Sequence, residues 1–536
     1  MAFPKFDKPN IIILMTDQQR AIQHFPDYWV ELNLPSLNFL KQHGITFTNA
    51  QASTCACSPS RATLWTGLYP STNGVYRVPG SLDPTNTSNT TNILGNVLST
   101  AGYKVVFKGK WDLTDLGTTN NFDDASKTIP RQSPLNSQQQ QTLQNEDNTM
   151  LTDWKFEGWL APDSGTAAND PALTNPSNPY PSTDYLNTLG GSSANNDGRY
   201  VNGPSLLSTQ HTVMEFLAEN QNPDQPFCLI VSLVGPHDIW VYPDIFNQGL
   251  TTFPNTFKNY KRFELPASYS QDDLSTKPWA QLNFLNNKGK LSEEDALYYV
   301  QFYAYLHTLA DGYFSQILDA ISDSLWDNTI VIRLADHGEM GMAHNGLREK
   351  QNTVYREALN VPLIFSNPKW FNEGIEVDHL VGLVDIVPTL ATIAGLTKEE
   401  QKEFDFQGMD FSQTLLDTDH PTQDHLLFSY DDGVDDTNVT PSGEINAIRC
   451  IRTKHWKYAV YYASQGNDGQ VITEKDFQYE LYHLKEDPDE ITNLLPVGGE
   501  ASKHAKEKQQ ELHEKLTKKM KHTHTIPQGW PTTVPS

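Results

Sequence analysis

The sequence predicts an α/β protein in which helices flank a doubly wound, mainly parallel β-sheet. Three observations predict this class. Short runs of β-branched and apolar residues recur along the chain, as expected of strands that are buried on both faces. Stretches with helical spacing of apolar residues separate these runs. Polar residues follow the runs directly, and a parallel sheet gathers its ligands at that edge, beyond the carboxyl ends of its strands.

The predicted strands and helices alternate over most of the chain. The strand-like runs include NIIILMT near the start and FCLIVSLV near the middle, neither of which contains a charged residue. The predicted strands are residues 10–16, 104–107, 227–234, 329–334 and 361–365. The predicted helices are residues 36–44, 205–220, 294–321 and 384–395. These elements define an expected α/β domain over residues 1–400.

A smaller C-terminal domain with α+β organisation is predicted over residues 401–536. Its apolar runs are short and follow one another closely, which is typical of an antiparallel sheet. The expected strands are residues 425–430, 447–452, 456–462 and 479–484, followed by a charged helix over residues 500–521 and a proline-containing tail. This helix and tail could dock on a second copy of the chain, so a homo-oligomer stays open.

Residues 126–203 are predicted to be an insertion, because they are dense in Asn, Gln, Ser, Pro and Gly. Such a segment near the strand ends could wall a substrate pocket, or it could be an ordinary surface loop. Its aromatic rings could stack on a sugar or an arene, could cage a quaternary ammonium, or could anchor the loop in the core. These residues are Trp154, Phe156, Trp159, Tyr180 and Tyr185.

Composition and charge exclude several classes of function. The 536-residue chain is 38% hydrophobic, which rules out a wholly disordered protein. It has 39 Lys and Arg against 65 Asp and Glu, a net charge of −26, so we expect neither a nucleic acid nor an acidic membrane as a partner. The first residues resemble no secretory signal, which predicts a cytoplasmic protein, although a trimmed signal would leave the same sequence. Four cysteines do not make a disulfide framework in a chain of this length.

Polar side chains follow four of the predicted strands. They are Asp17-Gln18, Gly109-Lys110-Trp111-Asp112, Gly235-Pro236-His237 and Asp336-His337-Gly338-Glu339. Parallel strands would bring these side chains to one edge of the sheet. A polar residue after one strand is common in any α/β protein, but the four sets together predict a functional site.

The most informative segment is CSPSRATLWTG, residues 57–67. Ser58-Pro59 indicates a turn into a helix, with the proline in the first helical turn, where its missing N–H has little cost. Cys57 would then lie at a helix N-terminus, where exposed amides and the helix dipole favour a negative oxygen or a thiolate. Arg61, one turn later, would point back toward Cys57 and could pair with an anion there.

This segment resembles the activation motif of the type I sulfatases, within the alkaline phosphatase superfamily. Cys57, Pro59 and Arg61 match its C-x-P-S-R pattern, and Thr66-Gly67 closes it. The resemblance extends along the chain to VDIVPTL at residues 384–390, ELY at 480–482 and DPDE at 487–490. It implies an alkaline phosphatase-like fold and a sulfuric ester hydrolase. It also implies that a formylglycine-generating enzyme oxidises Cys57 to Cα-formylglycine, whose hydrated gem-diol is the nucleophile.

The same resemblance implies one divalent metal between the ends of the first and fourth predicted strands. Its ligands would be Asp17, Gln18, Asp336 and His337, together with residue 57. Mostly oxygen ligands favour calcium, which is a hard cation. Gln18 stands where many members have a second Asp, and His337 where many have Asn. With Gln18 the site has one carboxylate fewer, and with His337 it has an imidazole, which is a softer donor than an amide oxygen. Manganese and magnesium therefore remain alternatives.

Further site residues are implied by their match to family positions. Lys110 and Lys350 match two sulfate-binding lysines, and His237 matches a histidine near the leaving-group oxygen. Either Lys350 or His237 could protonate the departing alkoxide. Asp112 departs from the pattern, because it stands where G-K-W-H-L has its histidine. It could be the base that expels sulfate, could orient Lys110, or could contact a cationic part of the substrate.

Three functions remain open on the sequence alone. The expected one is hydrolysis of a sulfate monoester of a small molecule or a saccharide to the alcohol and sulfate. The second is hydrolysis of phosphonate monoesters or phosphodiesters, since formylglycine-dependent relatives with Asp-Gln and Asp-His at the two strand ends have that activity. The third is a non-catalytic, anion-binding relative in which Cys57 keeps its thiol.

Overall fold

The computed structural model describes both predicted sheets. The described residues are 3–21, 24–78, 80–113, 151–159, 212–243, 257–258, 260, 263–431, 445–465, 470–471, 477–531 and 533–534. The strands are β1 (Asn10–Asp17), β2 (Gly44–Gln51), β3 (Lys104–Gly109), β4 (Phe227–Pro236), β5 (Thr329–Ala335), β6 (Leu363–Ser366), β7 (Ile375–Gly382), β8 (His425–Asp431), β9 (Ala447–Thr453), β10 (Trp456–Tyr462), β11 (Ser464–Gln465), β12 (Gln470–Val471) and β13 (Gln478–His483).

The helices fall between these strands and after the last of them. Those before β5 are Asp27–Asn33, Pro35–Gln42, Cys57–Thr66, Pro70–Asn73, Thr87–Asn92, Leu94–Thr100, Val213–Glu219, Ser268–Gln271, Trp279–Lys288, Glu293–Asp319 and Asp323–Trp326. Those after β5 are Ala343–Gly346, Arg356–Leu359, Ile386–Ile393, Ser412–Leu416 and Lys503–His522. Of the predicted helix over residues 205–220, residues 205–211 lie outside the described residues, and the described part begins after the cap Thr212.

Strand β1 lies at the centre of the larger sheet. Among the described strands the order is β3-β4-β1-β5-β6-β2-β7, and β1 pairs in parallel with β4 and β5. Residues 11–15 of β1 are wholly buried, because helices cover both faces of the sheet. Strand β6 runs antiparallel to both of its neighbours, so the sheet is mixed. The predicted α/β class with a mainly parallel sheet is confirmed.

Two strands of this sheet, β2 and β7, were not predicted. They read GITFTNAQ and IEVDHLVG, in which polar residues interrupt the apolar runs. Thr48, Glu376 and Asp378 are exposed, because these strands lie at one edge of the sheet. A search for continuous apolar runs detects strands that are buried on both faces, and it overlooks strands such as these.

The smaller sheet lies in the C-terminal region, where four of the strands were expected. It is antiparallel throughout, in the order β13-β10-β9-β8. The helix Lys503–His522 packs against it through Leu512, Leu516 and Met520, and Ser502 caps its first turn. The domain boundary near residue 400 stays a prediction.

The insertion predicted at residues 126–203 lies largely outside the described residues, and so do Tyr180 and Tyr185. Its described part contains Trp154, Phe156 and Trp159, which are all buried in the main core. Phe156 packs edge-on against Phe107, with ring centroids 5.7 Å apart, and the indole of Trp159 donates to the carbonyl of Gly109 at 2.9 Å. These three rings anchor the segment, so the pocket-wall interpretation is wrong for them.

A search of the described helices for a membrane-spanning segment finds none with sufficient length and apolar character.

The buried His307, in the helix Glu293–Asp319, predicts a specific acid sensitivity. Burial lowers the pKa of His307 from 6.5 to about 3. Between these values the unfolded chain binds a proton that the folded chain excludes, so the free energy of unfolding should fall as the pH falls. We expect a loss of about 2 kcal/mol between pH 6.5 and pH 5 from this residue. Urea unfolding of the parent and of His307→Gln at both pH values measures it.

The variant lacks this titrating group, so its stability should change less over the same pH interval. Equal losses in parent and variant would contradict the prediction.

Candidate active site

The carboxyl ends of the parallel strands bring the predicted polar residues to one edge of the sheet. Asp17 ends β1, and Asp336 directly follows β5, with its N–H donating to the carbonyl of Thr16 at 3.3 Å. Lys110 follows β3, and His237 follows β4. The backbone N–H of Lys110 also donates to Ser232 of β4 at 2.8 Å. The four strand ends meet as expected.

Cys57 is the first residue of the helix Cys57–Thr66, as the sequence predicts. Its side chain is buried, with Sγ 3.1 Å from His337 Nε2 and 3.5 Å from Asp17 Oδ1. Ser60 in the same first turn donates to the carbonyl of Asp336 at 2.6 Å and joins the helix to the end of β5. The helix N-terminus therefore faces the two carboxylates.

Arg61 and Lys110 hold those carboxylates by their outer oxygens. Arg61 donates to Asp17 Oδ2 at 3.1 Å and to Asp336 Oδ2 at 2.9 Å. Lys110 Nζ lies 2.6 Å from Asp17 Oδ2. Arg61 was expected to pair with an anion at residue 57, and its partners in the structure are instead these two carboxylates. The Oδ1 atoms of Asp17 and Asp336 lie 3.7 and 3.8 Å from His337 Nε2, on the side of the cluster.

The inner donor atoms fit a divalent cation. One ligand atom from each of Asp17, Cys57, Asp336 and His337 lies within 4.8 Å of the others, and all four residues are buried. His337 Nδ1 lies 3.0 Å from the carbonyl of Gly338. This contact assigns the proton to Nδ1 and leaves the Nε2 lone pair directed at the cluster. Two carboxylates and one imidazole suit calcium, manganese or magnesium.

Burial and neighbouring charges shift the pKa values of Asp17 and His237. Burial by itself would raise the pKa of Asp17, but the charges of Lys110 and Arg61 hold it well below its usual range. Burial lowers the pKa of His237 well below its usual value, against the attraction of Asp17. Asp17 therefore stays a carboxylate at neutral pH, and His237 stays a neutral imidazole.

Burial likewise lowers the pKa of His337, which keeps its imidazole neutral and able to bind a metal. Burial and the carboxylate of Asp17 raise the pKa of the Cys57 thiol, although Lys350 and Lys110 oppose the shift. Lys350 keeps its charge, because the neighbouring carboxylate of Glu349 raises its pKa against the effect of burial.

The sulfatase family model matches residues 9–396, which is more than half of the chain. The chain belongs to the sulfatase family. It is a sulfatase enzyme that hydrolyses sulfate esters. A second family model, described as N-sulphoglucosamine sulphohydrolase, C-terminal, matches residues 345–522.

Curated relatives of this sulfatase cover nearly the whole chain. Arylsulfatase K of Bos taurus is 24% identical over 512 residues, which cover 91% of this chain and 78% of the relative. The delta 4,5-hexuronate-2-O-sulfatase of Bacteroides thetaiotaomicron is 25% identical over 509 residues, which cover 91% of this chain and 85% of the relative.

Solved structures share the fold. A structure described as a 2-O GAG sulfatase aligns with a TM-score of 0.63 and 19% identity, covering 97% of this chain and 93% of the other. The phosphonate monoester hydrolase of Agrobacterium radiobacter aligns with a TM-score of 0.61 and 19% identity, covering 96% of both chains. The fold is therefore common to both of these named enzyme types.

Asp112, which departs from the sulfatase pattern, lies beside the catalytic helix. Its Oδ2 accepts from Ser58 Oγ at 3.0 Å and lies 3.8 Å from Lys110 Nζ. Its φ of 63° is unusual for a residue with a side chain. Such strained backbone persists where the surroundings hold it, and it clusters at functional sites. The carboxylate therefore lies next to the first turn that carries Cys57.

Two buried residues of the sulfatase site, Glu339 and Glu349, were not predicted from the sequence. Both contact Gln18, which was predicted as a metal ligand: its amide is hydrogen-bonded to Lys350, Glu339 and Glu349. Glu339 stands in the DHGE run after β5, and Glu349 precedes Lys350, but neither had an assigned role. The sequence feature that could have pointed to them is an acidic residue close to a predicted site residue, and this feature is too common to be informative alone.

Proposed function

We propose that this sulfatase cleaves the sulfate monoester of a saccharide, with residue 57 converted to formylglycine as the source of the nucleophilic oxygen. One observation carries the proposal. The side chain of Cys57 lies where the buried charges converge, 3.1 Å from His337 Nε2 and 3.5 Å from Asp17 Oδ1. Lys110 and Lys350 act on it electrostatically as well. A tetrahedral anion beside residue 57 would meet several fixed cations.

Formylglycine suits this position because its hydrate carries two hydroxyl groups. One hydroxyl forms a bond to sulfur as the alcohol leaves, and loss of the proton from the other expels sulfate and restores the aldehyde. Two easier steps replace one difficult displacement, and water never has to attack a second sulfate ester. A divalent cation bound by Asp17, Gln18, Asp336 and His337, calcium before manganese or magnesium, would neutralise sulfate oxygens and make the attacking hydroxyl more acidic.

The protein supplies charge and protons around the sulfate. Lys110 and Lys350 offer ammonium groups to the sulfate oxygens, and Arg61 keeps Asp17 and Asp336 in place. Lys350 is assigned the proton for the departing alkoxide, because its buried ammonium is a proton donor within the site. Neutral His237 is assigned a hydrogen bond to the same oxygen.

Asp112 is assigned the base that removes the proton when sulfate is expelled. Its carboxylate is bonded to Ser58, the neighbour of residue 57, and it lies within 3.8 Å of Lys110. In this sulfatase, Asp112 would thus act as the base in place of the histidine of the family pattern.

A saccharide is favoured as the alcohol. The hexuronate-2-O-sulfatase relative aligns over 91% of this chain, and its name describes a sulfated sugar acid as its substrate. With a net charge of −26, the protein would repel such a polyanion at long range. Binding would therefore depend on the local cations Lys110 and Lys350.

Hydrolysis of a phosphonate monoester is the second candidate. Gln18 and His337 occupy positions that favour this reaction in formylglycine-dependent relatives, and a phosphonate monoester hydrolase shares the fold. The retained Lys110 favours a sulfate instead. Both monoesters carry one negative charge, but the phosphonate has a carbon substituent in place of one non-bridging oxygen of the sulfate. Kinetics with matched leaving groups will discriminate between the two substrates.

The test compares kcat/KM for a sulfate monoester and a phosphonate monoester that share one aryl leaving group. The protein is coexpressed aerobically with a formylglycine-generating enzyme, and mass spectrometry of the tryptic peptide 42–61 reports the conversion of Cys57 from thiol to aldehyde. A panel of sulfated sugars, aryl sulfates and choline sulfate then identifies the alcohol. We expect the sulfate to be preferred, and a sulfated sugar to be the best of the panel.

Protein made without the maturing enzyme is the control, and it should keep its thiol and lack activity. A much higher kcat/KM for the phosphonate would replace the proposal with the second candidate. A thiol that survives coexpression would support a non-catalytic, anion-binding protein.

A further inference from the structure

The side chain of Gln18 lies among three buried charges. Its Nε2 donates to Glu339 Oε2 at 2.5 Å and to Glu349 Oε2 at 3.3 Å. Its Oε1 accepts from Lys350 Nζ at 2.6 Å. All four side chains are buried. Every polar atom of the amide therefore has a charged partner.

These charges decide the orientation of the amide. In the opposite orientation, Oε1 would face the carboxylates of Glu339 and Glu349, and the NH₂ group would face the ammonium of Lys350. Three hydrogen bonds to charged groups would become three repulsive contacts, which is costly in a buried site. The oxygen of Gln18 therefore points toward Lys350, whose ammonium also acts electrostatically on Cys57.

Glu339 is itself firmly held. Its Oε1 accepts from the hydroxyl of Tyr299 at 2.8 Å, from the N–H of Gly341 at 3.0 Å and from the N–H of Glu349 at 2.9 Å. These three donors fix the carboxylate and leave Oε2 for Gln18. Because Oε2 of the Glu339 carboxylate is an acceptor, Gln18 must present its NH₂ group to it.

The backbone of Gln18 is constrained as well. Its φ of 61° lies in the left-handed region, which residues with side chains seldom adopt. Tyr303 donates to its carbonyl at 2.6 Å, and its N–H donates to Asp336 Oδ1 at 3.0 Å. A strained conformation held from both sides is typical of a functional position.

We propose that Glu339 is a positioning residue that, together with Glu349, holds the amide oxygen of Gln18 on the side of Lys350, and that from this position the oxygen of a neutral side chain serves as a ligand of the divalent cation. The inference rests on the proposed function, because it takes Gln18 as a ligand of the divalent cation. Hard cations bind amides through oxygen, so a flipped Gln18 would lose its ligand atom. An aspartate ligand would need no such partner, since it offers an oxygen in either orientation.

The test measures binding of Ca²⁺ alone to matured, EDTA-stripped protein by isothermal titration calorimetry. In Glu339→Gln, the three donors retain the oxygen of the new amide, and its NH₂ group then faces the NH₂ group of Gln18. Gln18 can relieve this contact only by turning or withdrawing its amide, and either movement takes its oxygen from the position that it holds beside Lys350. We expect calcium affinity to fall about 10- to 100-fold, as is usual when the partner of a metal ligand is lost.

Exchanging the two side-chain types provides a rescue. Gln18→Glu alone places a third carboxylate against Glu339 and Glu349, so calcium should bind more weakly than to the parent. In the double variant Gln18→Glu/Glu339→Gln, the new amide donates to the new carboxylate, which offers an oxygen to the cation in either orientation. The double variant should therefore regain most of the affinity lost by Glu339→Gln, and should exceed Gln18→Glu even if Glu339→Gln alone does not fold.

Tyr299→Phe is the matched control, because it removes one donor to Glu339 and keeps the carboxylate. Its calcium affinity should fall less than that of Glu339→Gln, and thermal unfolding in EDTA reports the folding of each variant. Parental calcium affinity in Glu339→Gln, or a double variant that binds no better than either single variant, would overturn the inference. A parent that binds none of Ca²⁺, Mn²⁺ and Mg²⁺ would instead overturn the metal site of the proposed function.

Discussion

Replacing Cys57 with alanine is expected to lower kcat/KM for a sulfate ester by about 10⁴-fold or more, which is the usual scale for loss of a catalytic nucleophile. The physical reason is that alanine cannot be converted to an aldehyde, so residue 57 offers no oxygen to sulfur. Lys110 and Lys350 would still bind the sulfate. The loss should therefore appear in kcat, and KM should change much less.

Cys55→Ala is the matched control for this variant. Cys55 is a second buried thiol two residues earlier, and it is outside the cluster formed by Asp17, Cys57, Asp336 and His337. Coexpression with the maturing enzyme and steady-state kinetics on both variants give the comparison. Cys55→Ala should remain active. Substantial activity in Cys57→Ala would remove the basis of the proposed mechanism.

Replacing Arg61 with alanine is expected to destabilise the unmodified protein by about 3–5 kcal/mol, the usual cost of removing one partner from a buried ion pair. Arg61 is completely buried, and it pairs with the carboxylates of Asp17 and Asp336. It also donates to the carbonyl of Lys110 at 2.7 Å and to Ser232 Oγ at 2.8 Å. Its loss leaves two buried carboxylates, of which Asp17 still pairs with Lys110, whereas Asp336 has no other Lys or Arg partner among the described residues.

Urea unfolding of metal-free protein measures this effect without reference to activity. Arg356→Ala is the control, since Arg356 is partly exposed and pairs with Asp489 at 3.3 Å on the surface, where such a pair contributes at most about 1 kcal/mol. Arg61→Lys should fall between the two, because an ammonium keeps the charge but cannot span both carboxylates. Equal losses in Arg61→Ala and Arg356→Ala would contradict the role given to Arg61.

The strands that carry the site could be predicted because they are buried on both faces and therefore consist mostly of apolar residues. The central strand of the larger sheet, NIIILMT, is covered on both faces, so residues 11–15 are all apolar, and the polar residues Thr16 and Asp17 follow them. The edge strands β2 and β7 face solvent in part, and their mixed composition hides them. For this reason the sequence predicted the residues at the strand ends better than the full width of the sheet.

The candidate site divides in a similar way. The Cys57 motif and the polar residues after β1, β3, β4 and β5 were recognisable, because each stands beside a strong local signal. The partners of those residues were not recognisable. Tyr299 and Tyr303 lie in an otherwise apolar part of a long helix, and only their position relative to Glu339 and Gln18 gives their hydroxyls a function.

The sequence by itself determined the α/β class, the oxidisable cysteine at a helix N-terminus and the identity of the charged groups at the strand ends, because these depend on short-range pattern. Only the tertiary structure decided that Arg61 pairs with Asp17 and Asp336, that Trp154, Phe156 and Trp159 belong to the core, and that the amide of Gln18 is oriented by Glu339. Orientation and pairing depend on groups that are separated by tens to hundreds of residues, and packing of the whole sheet sets the distances between them.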